Sequence, residues 1–123
     1  MFTVSIETYF WASHQLVLPD GSKEPQHQHN WAVTAEVGSS ELNSMGLVMD
    51  FYRLKALVHN IVSELDDTAM ERIDYFQRNS SSAENLARYI YEQLEPKLPK
   101  GVKLQSIWVG EEQGSSAKFS KDG

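Results

Sequence analysis

The stretch from Phe2 to Leu18 reads as one long β-strand, and that length constrains the fold more than any other feature of the chain. Phe2, Val4 and Ile6 alternate with Thr3, Ser5 and Glu7, and β-branched and aromatic residues remain frequent through the rest of the stretch. Pro19, Asp20 and Gly21 break the pattern. A second extended segment runs from about His29 through Trp31, Val33 and Ala35 to Gly38, so the two strands predict a long hairpin.

Helical signals occupy the middle of the chain. Asp50 is a good N-cap for the run Phe51, Leu54, Leu57, Val58, Ile61, Val62 and Leu65, which recurs at three- and four-residue steps. His59 falls on the polar or border side of that helix and reads as solvated. From Asp66 to Ser80 no period is visible, which predicts a loop with room for one helical turn. Ser81 and Glu84 form a capping-box pattern before Leu86, Ala87, Ile90, Tyr91 and Leu94, and Pro96 and Pro99 end that second helix. Strands are expected over about Lys103 to Glu111, alternating through Leu104, Ile107 and Val109, and over a short stretch around Ala117 to Ser120.

The order strand, strand, helix, helix, strand, strand does not alternate, so the expected architecture is α+β. It is a four-stranded antiparallel sheet (ββααββ) with both helices on one face, in a single domain spanning residues 1–123. The sheet edges and the other face then need partners, which a closed ring of subunits would supply.

Three of the chain's four histidines, His14, His27 and His29, fall close together in the hairpin. On an extended strand His27 and His29 leave the same face about 7 Å apart, and His14 can face them across the pair at roughly 5 Å. Three neutral imidazoles with an open fourth position describe a catalytic zinc site, whereas structural zinc is usually closed by four ligands rich in sulfur. There is no cysteine to close one.

With 123 residues, 41% hydrophobic content and a formal net charge of -6, the chain is long enough for a core but short for an enzyme that encloses a substrate alone, so oligomerisation is expected. The acidic balance and the lack of a basic stripe argue against nucleic acid as a partner. No segment reads as a signal peptide or a membrane span. The absence of cysteine fits a reducing compartment, and the expected location is the cytoplasm.

Several short blocks together resemble a known family. Phe10-Trp11-Ala12-Ser13-His14-Gln15-Leu16, His27-Gln28-His29-Asn30-Trp31, Met45-Gly46-Leu47-Val48-Met49-Asp50-Phe51 with Leu54-Lys55, Leu65-Asp66, Ala83-Glu84-Asn85-Leu86-Ala87 and Val109-Gly110-Glu111 occur in the order seen in the 6-pyruvoyl-tetrahydropterin synthase and 6-carboxy-tetrahydropterin synthase family. The resemblance implies the tunnelling fold, in which trimers close a twelve-stranded barrel and two trimers stack into a hexamer. It implies zinc held by His14, His27 and His29, a pterin as the small-molecule partner, and Glu111 as the anchor of the pterin ring. A carboxylate suits that task because it accepts two parallel hydrogen bonds from a guanidine-like edge.

The chain departs from the family pattern at the groups that move protons. Lys23 stands where the usual members carry a cysteine base, and Asp67 where they carry a histidine; Gln28 replaces a glycine, and Ser81-Ser82 replaces Pro-Thr. Of the usual proton-transfer residues only Asp66 remains. Glu24, three residues before His27, gives E-x-x-H-x-H, and a subgroup of the family uses glutamate there to cleave the side chain of 7,8-dihydroneopterin triphosphate, leaving 6-hydroxymethyl-dihydropterin. Glu24 is therefore the candidate base, since a solvated lysine is protonated near neutrality.

Three functions fit these residues. The first is a zinc-dependent pterin lyase or synthase with Glu24 and Asp66 as catalytic residues, serving queuosine, folate or biopterin synthesis. The second is a non-catalytic zinc- and pterin-binding homologue. The third is a structural oligomer in which the histidines are incidental.

Overall fold

A computed structural model describes residues 1–121. Its sheet is built on the expected hairpin: β1 (Phe2–His14) and β2 (His27–Ser39) pair antiparallel without a slip, from Phe2 opposite Ser39 to His14 opposite His27. β1 is shorter than the pattern suggested, because the chain turns away after His14. Residues 15–26 form a loop closed by a single bridge between Val17 and Lys23. β2 begins two residues earlier than expected, so both histidines of the pair lie within it.

The helices cover one face of this hairpin, and the remaining strands extend its sheet on both sides. Helix α1 (Phe51–Val62) starts at Asp50, whose side chain accepts the Tyr52 N–H, and buries Leu54, Val58, Ile61 and Val62. The aperiodic stretch holds more structure than one turn. It contains β3 (Thr68–Ala69), a 3₁₀ turn over Met70–Arg72 and the short helix α2 (Asp74–Arg78). Helix α3 (Ala83–Leu94) buries Leu86, Ala87, Tyr89, Ile90, Tyr91 and Leu94 against β4 (Lys103–Glu112) and β5 (Ser115–Phe119).

Two expectations are corrected. The sheet has five strands in the order β3-β1-β2-β4-β5, not four, and β3 runs parallel to β1, pairing Thr68 and Ala69 with Ala12 and Ser13. Two residues are too few to leave a period in the sequence. The N-cap of α3 is Ser82, not Ser81: the Ser82 hydroxyl accepts the Asn85 N–H, while the Ser81 hydroxyl donates to the Gln15 carbonyl. Mixed α+β architecture, with a sheet on one side and helices on the other, is what the patterning predicted.

The alternation of β1 and β2 divides the sheet sharply. Phe10, Ala12, Trp31, Val33 and Ala35 enter the core under the helices, while Tyr9, Trp11 and Trp108 stand exposed on the opposite face. The end of the hairpin that carries the histidines therefore opens onto the helix side.

Candidate metal centre

Because the two strands pair in unbroken register, His14 and His27 sit directly opposite each other and His29 lies two residues along on the same face. Their ring centroids are 4.5 Å apart for His14 and His27, 4.6 Å for His27 and His29, and 5.2 Å for His14 and His29. Trp31 forms the floor, with its indole 5.0 Å from His14 and 5.5 Å from His29, edge to face. Its N–H donates to the Ala12 carbonyl at 3.1 Å, which fixes the ring. His14 is buried, and His27 and His29 are partly exposed.

Backbone carbonyls decide which nitrogen of each imidazole is free. His14 Nδ1 lies 2.7 Å from the Ser81 carbonyl and His27 Nδ1 lies 3.0 Å from the Pro25 carbonyl. A carbonyl only accepts, so both Nδ1 atoms carry hydrogen, and in the neutral rings both Nε2 atoms are bare lone pairs. This is the outer-shell arrangement that orients imidazole ligands toward a metal.

Those nitrogens converge on one carboxylate oxygen. His14 Nε2 is 2.9 Å from His27 Nε2 and 3.0 Å from Glu111 Oε1, while the same oxygen is 2.7 Å from His29 Nε2 and 3.7 Å from His27 Nε2. Despite its short approach to Glu111, His29 Nε2 is buried without a hydrogen-bond partner. Donor atoms gathered this closely suit a shared proton or a metal cation. Burial pushes the His29 pKa below the ordinary histidine value; the neighbouring imidazoles act the same way, and the Glu111 charge opposes them. A proton is therefore disfavoured at His29, and the donor set fits a metal ion.

Donor spacing agrees. Tetrahedral zinc with bonds near 2.0–2.1 Å sets neighbouring donor atoms about 3.3 Å apart, and the separations above fall on both sides of that value. The three histidines and Glu111 offer ligand atoms that all lie within 4.8 Å of one another.

The other residues singled out from the sequence lie elsewhere. Glu24 is half-buried in the loop after β1: its carboxylate accepts the Leu16 N–H at 3.3 Å, and its carbonyl accepts from the Gln15 side chain at 2.9 Å. The group of converging ligand atoms does not include it. Asp66 is exposed and accepts the Trp11 N–H at 2.9 Å, tying the turn after α1 to β1. Asp67 and Arg72 line a polar cleft of about 420 Å³ with Ser13, Gln26, His27 and Gln28.

Two supporting residues carry no sequence signal. Glu71 accepts the Gln15 N–H at 3.2 Å and the Gln26 amide at 3.0 Å, so it clamps the residue after His14 to the residue before His27. Ser81 supplies the carbonyl that orients His14. Glu71 lies in the aperiodic stretch, and the Ser81 contact is made by backbone, so neither leaves a pattern to find.

A family profile described as 6-pyruvoyl tetrahydropterin synthase matches residues 3–122. The chain belongs to the 6-pyruvoyl tetrahydropterin synthase family. Among curated relatives, the dihydroneopterin monophosphate aldolase of Pyrococcus furiosus is 34% identical over 107 residues, 85% of this chain and 87% of that protein. A putative 6-carboxy-5,6,7,8-tetrahydropterin synthase of Archaeoglobus fulgidus is 28% identical over 120 residues, covering 96% and 95%. The solved structure of Caenorhabditis elegans 6-pyruvoyl tetrahydropterin synthase superposes with a TM-score of 0.82 at 21% identity, covering 97% of this chain and 94% of that one. Membership of the 6-pyruvoyl tetrahydropterin synthase family thus rests on almost the whole chain. No helix among the described residues is long and apolar enough to cross a membrane.

Proposed function

We propose that this protein is a zinc-dependent pterin lyase that cleaves the side chain of a phosphorylated 7,8-dihydroneopterin. The observation that carries the metal part of this reading is the convergence of three imidazole Nε2 atoms, two with their tautomers set by backbone carbonyls. Zinc held by His14, His27 and His29 would supply Lewis-acid polarisation of the substrate's side-chain oxygens.

The choice of substrate is supported by the 34% identical relative named a dihydroneopterin monophosphate aldolase and by charge. A chain with a net charge of -6 is better suited to one phosphate than to three. In an aldol-type cleavage, a base takes the proton from the hydroxyl on the second side-chain carbon. The bond between the first and second carbons breaks, its electrons pass into the dihydropterin ring, and the first carbon takes up a proton. The products are a 6-hydroxymethyl-dihydropterin and a phosphorylated aldehyde. Glu24 is the proposed base, Asp66 is proposed to assist proton transfer, and copies of the chain are proposed to complete the pocket in a trimer or hexamer.

A second reading, a zinc- and pterin-binding protein without turnover, is favoured by one observation: the Glu24 carboxylate is already engaged by the Leu16 amide. One experiment separates the two. Purified protein should hold about one zinc per chain, and His27→Ala should lose it. Incubation with the mono- and triphosphates of 7,8-dihydroneopterin, with products identified by mass, should give 6-hydroxymethyl-dihydropterin, and Glu24→Gln should slow this by about 10²-fold or more. Substrate bound but recovered intact would exclude the lyase.

A further inference from the structure

We infer that Glu111 is the fourth protein ligand of the metal in the substrate-free protein, and that the oxygens of an incoming substrate must take its place. The inference rests on the metal-centre reading above and assigns Glu111 a task different from the ring anchor that the family resemblance implies.

Strand geometry aims this side chain. In the pairing of β4 with β5, Gly110 lies opposite Ser116 and Glu112 opposite Ser115, so Glu111 is an extra, unpaired residue at a bulge. Bulges bend a strand and re-aim the side chain they carry, often beside a functional site. Here the bulge delivers one oxygen to 2.7 Å from His29, 3.0 Å from His14 and 3.7 Å from His27. That oxygen lies within 3.7 Å of all three Nε2 atoms.

The His29 contact is the informative one. An imidazolium donating to a carboxylate would form a hydrogen bond at 2.7 Å, yet His29 Nε2 is buried and makes none. The in-plane direction of Nε2 therefore does not run to this oxygen, as expected of two ligands that both aim at one cation between them. Charge points the same way. Three neutral imidazoles leave both charges of a divalent ion uncompensated in a half-buried site, and a carboxylate removes one of them.

The consequence is mechanical. Three histidines and a carboxylate fill a tetrahedral site, whereas catalysis needs an open position. Glu111 Oε1 cannot sit among the imidazoles and also accept from the guanidine-like edge of a pterin. It must leave the centre for substrate to enter, and that frees it to bind the ring.

Metal binding tests this without any activity measurement. Wild type, Glu111→Gln and Glu111→Ala are stripped with chelator and titrated with zinc against a chromophoric competitor, then with cobalt(II), whose visible bands report its coordination. Glu111→Ala should bind zinc at least about tenfold more weakly, with altered cobalt bands, and the near-isosteric Glu111→Gln should fall between it and wild type while keeping the wild-type circular dichroism. Adding 7,8-dihydroneopterin until its fluorescence shows it bound should shift the wild-type cobalt bands. Wild-type affinity and bands in both variants would overturn the inference while leaving the three-histidine centre intact, and unchanged bands with pterin bound would overturn the displacement. Wild-type zinc binding by His27→Ala would overturn the centre itself.

Discussion

At the scale of single residues, the histidine cluster is held by groups that do not themselves belong to it. Glu71 shows how. Burial by itself would raise its pKa, but the polar groups around it, among them the Gln26 amide and the Gln15 N–H that donate to its carboxylate, outweigh burial and hold it below the ordinary glutamate value. A carboxylate with a lower pKa folded than unfolded stabilises the protein above its unfolded pKa, near 4.3, and that contribution disappears as pH falls through the folded value. Wild type should therefore be more stable than Glu71→Gln at neutral pH, and the gap in thermal midpoint should narrow progressively as pH falls below the unfolded value. A gap that stays constant across this range would mean that the Glu71 charge does not matter. His14, His27 and His29 were legible in the sequence because spacing and strand period place them together. Glu71 and the Ser81 carbonyl were not, because no short-range pattern records a contact between Gln15 and a residue far along the chain.

At the scale of elements, the helices follow the signals that local chemistry writes into sequence. The apolar spacing of α1 and α3 and the Asp50 cap appear as expected. The cap of α3 moved by one residue because two adjacent serines offer the same hydroxyl, and only the path of the loop decides which one faces the helix end. Ser82→Ala should cost about 1 kcal/mol in chemical denaturation, the ordinary worth of an N-cap. Ser81→Ala should leave the cap untouched and lose instead the bond to the Gln15 carbonyl; if it cost α3 as much helicity as Ser82→Ala, the assignment would be wrong. Core truncation is larger in scale: Ile90→Ala, at a fully buried position beneath the sheet, should cost about 2–5 kcal/mol. The β3 pairing and the Glu111 bulge escaped the sequence, since one spans two residues and the other shifts a register that alternation alone cannot locate.

At the scale of the whole molecule, the sheet leaves edges that ask for partners. β1 pairs on its outer side with β3 only at Ala12 and Ser13, so most of its length is a free edge among the described residues, and β5 bounds the other side of the sheet. Exposed strand edges invite pairing with another chain, and ring closure uses them up. Native mass spectrometry should therefore find assemblies in multiples of three chains, as the family resemblance implies; a monomer at micromolar concentration would count against both the ring and a shared pocket. By itself the sequence determined the α+β class, the hairpin, the two main helices and the three histidines, because each depends on residue type and local period. Only the tertiary structure decided that Glu111 joins those histidines, that Glu24 lies bonded to Leu16 outside their cluster, that the Ser81 carbonyl orients the His14 ring, and that Glu71 clamps Gln15 to Gln26 beside it. Those facts depend on where a bulge, a loop and a distant carbonyl come to rest, and strand register and packing set such distances rather than the spacing of residues along the chain.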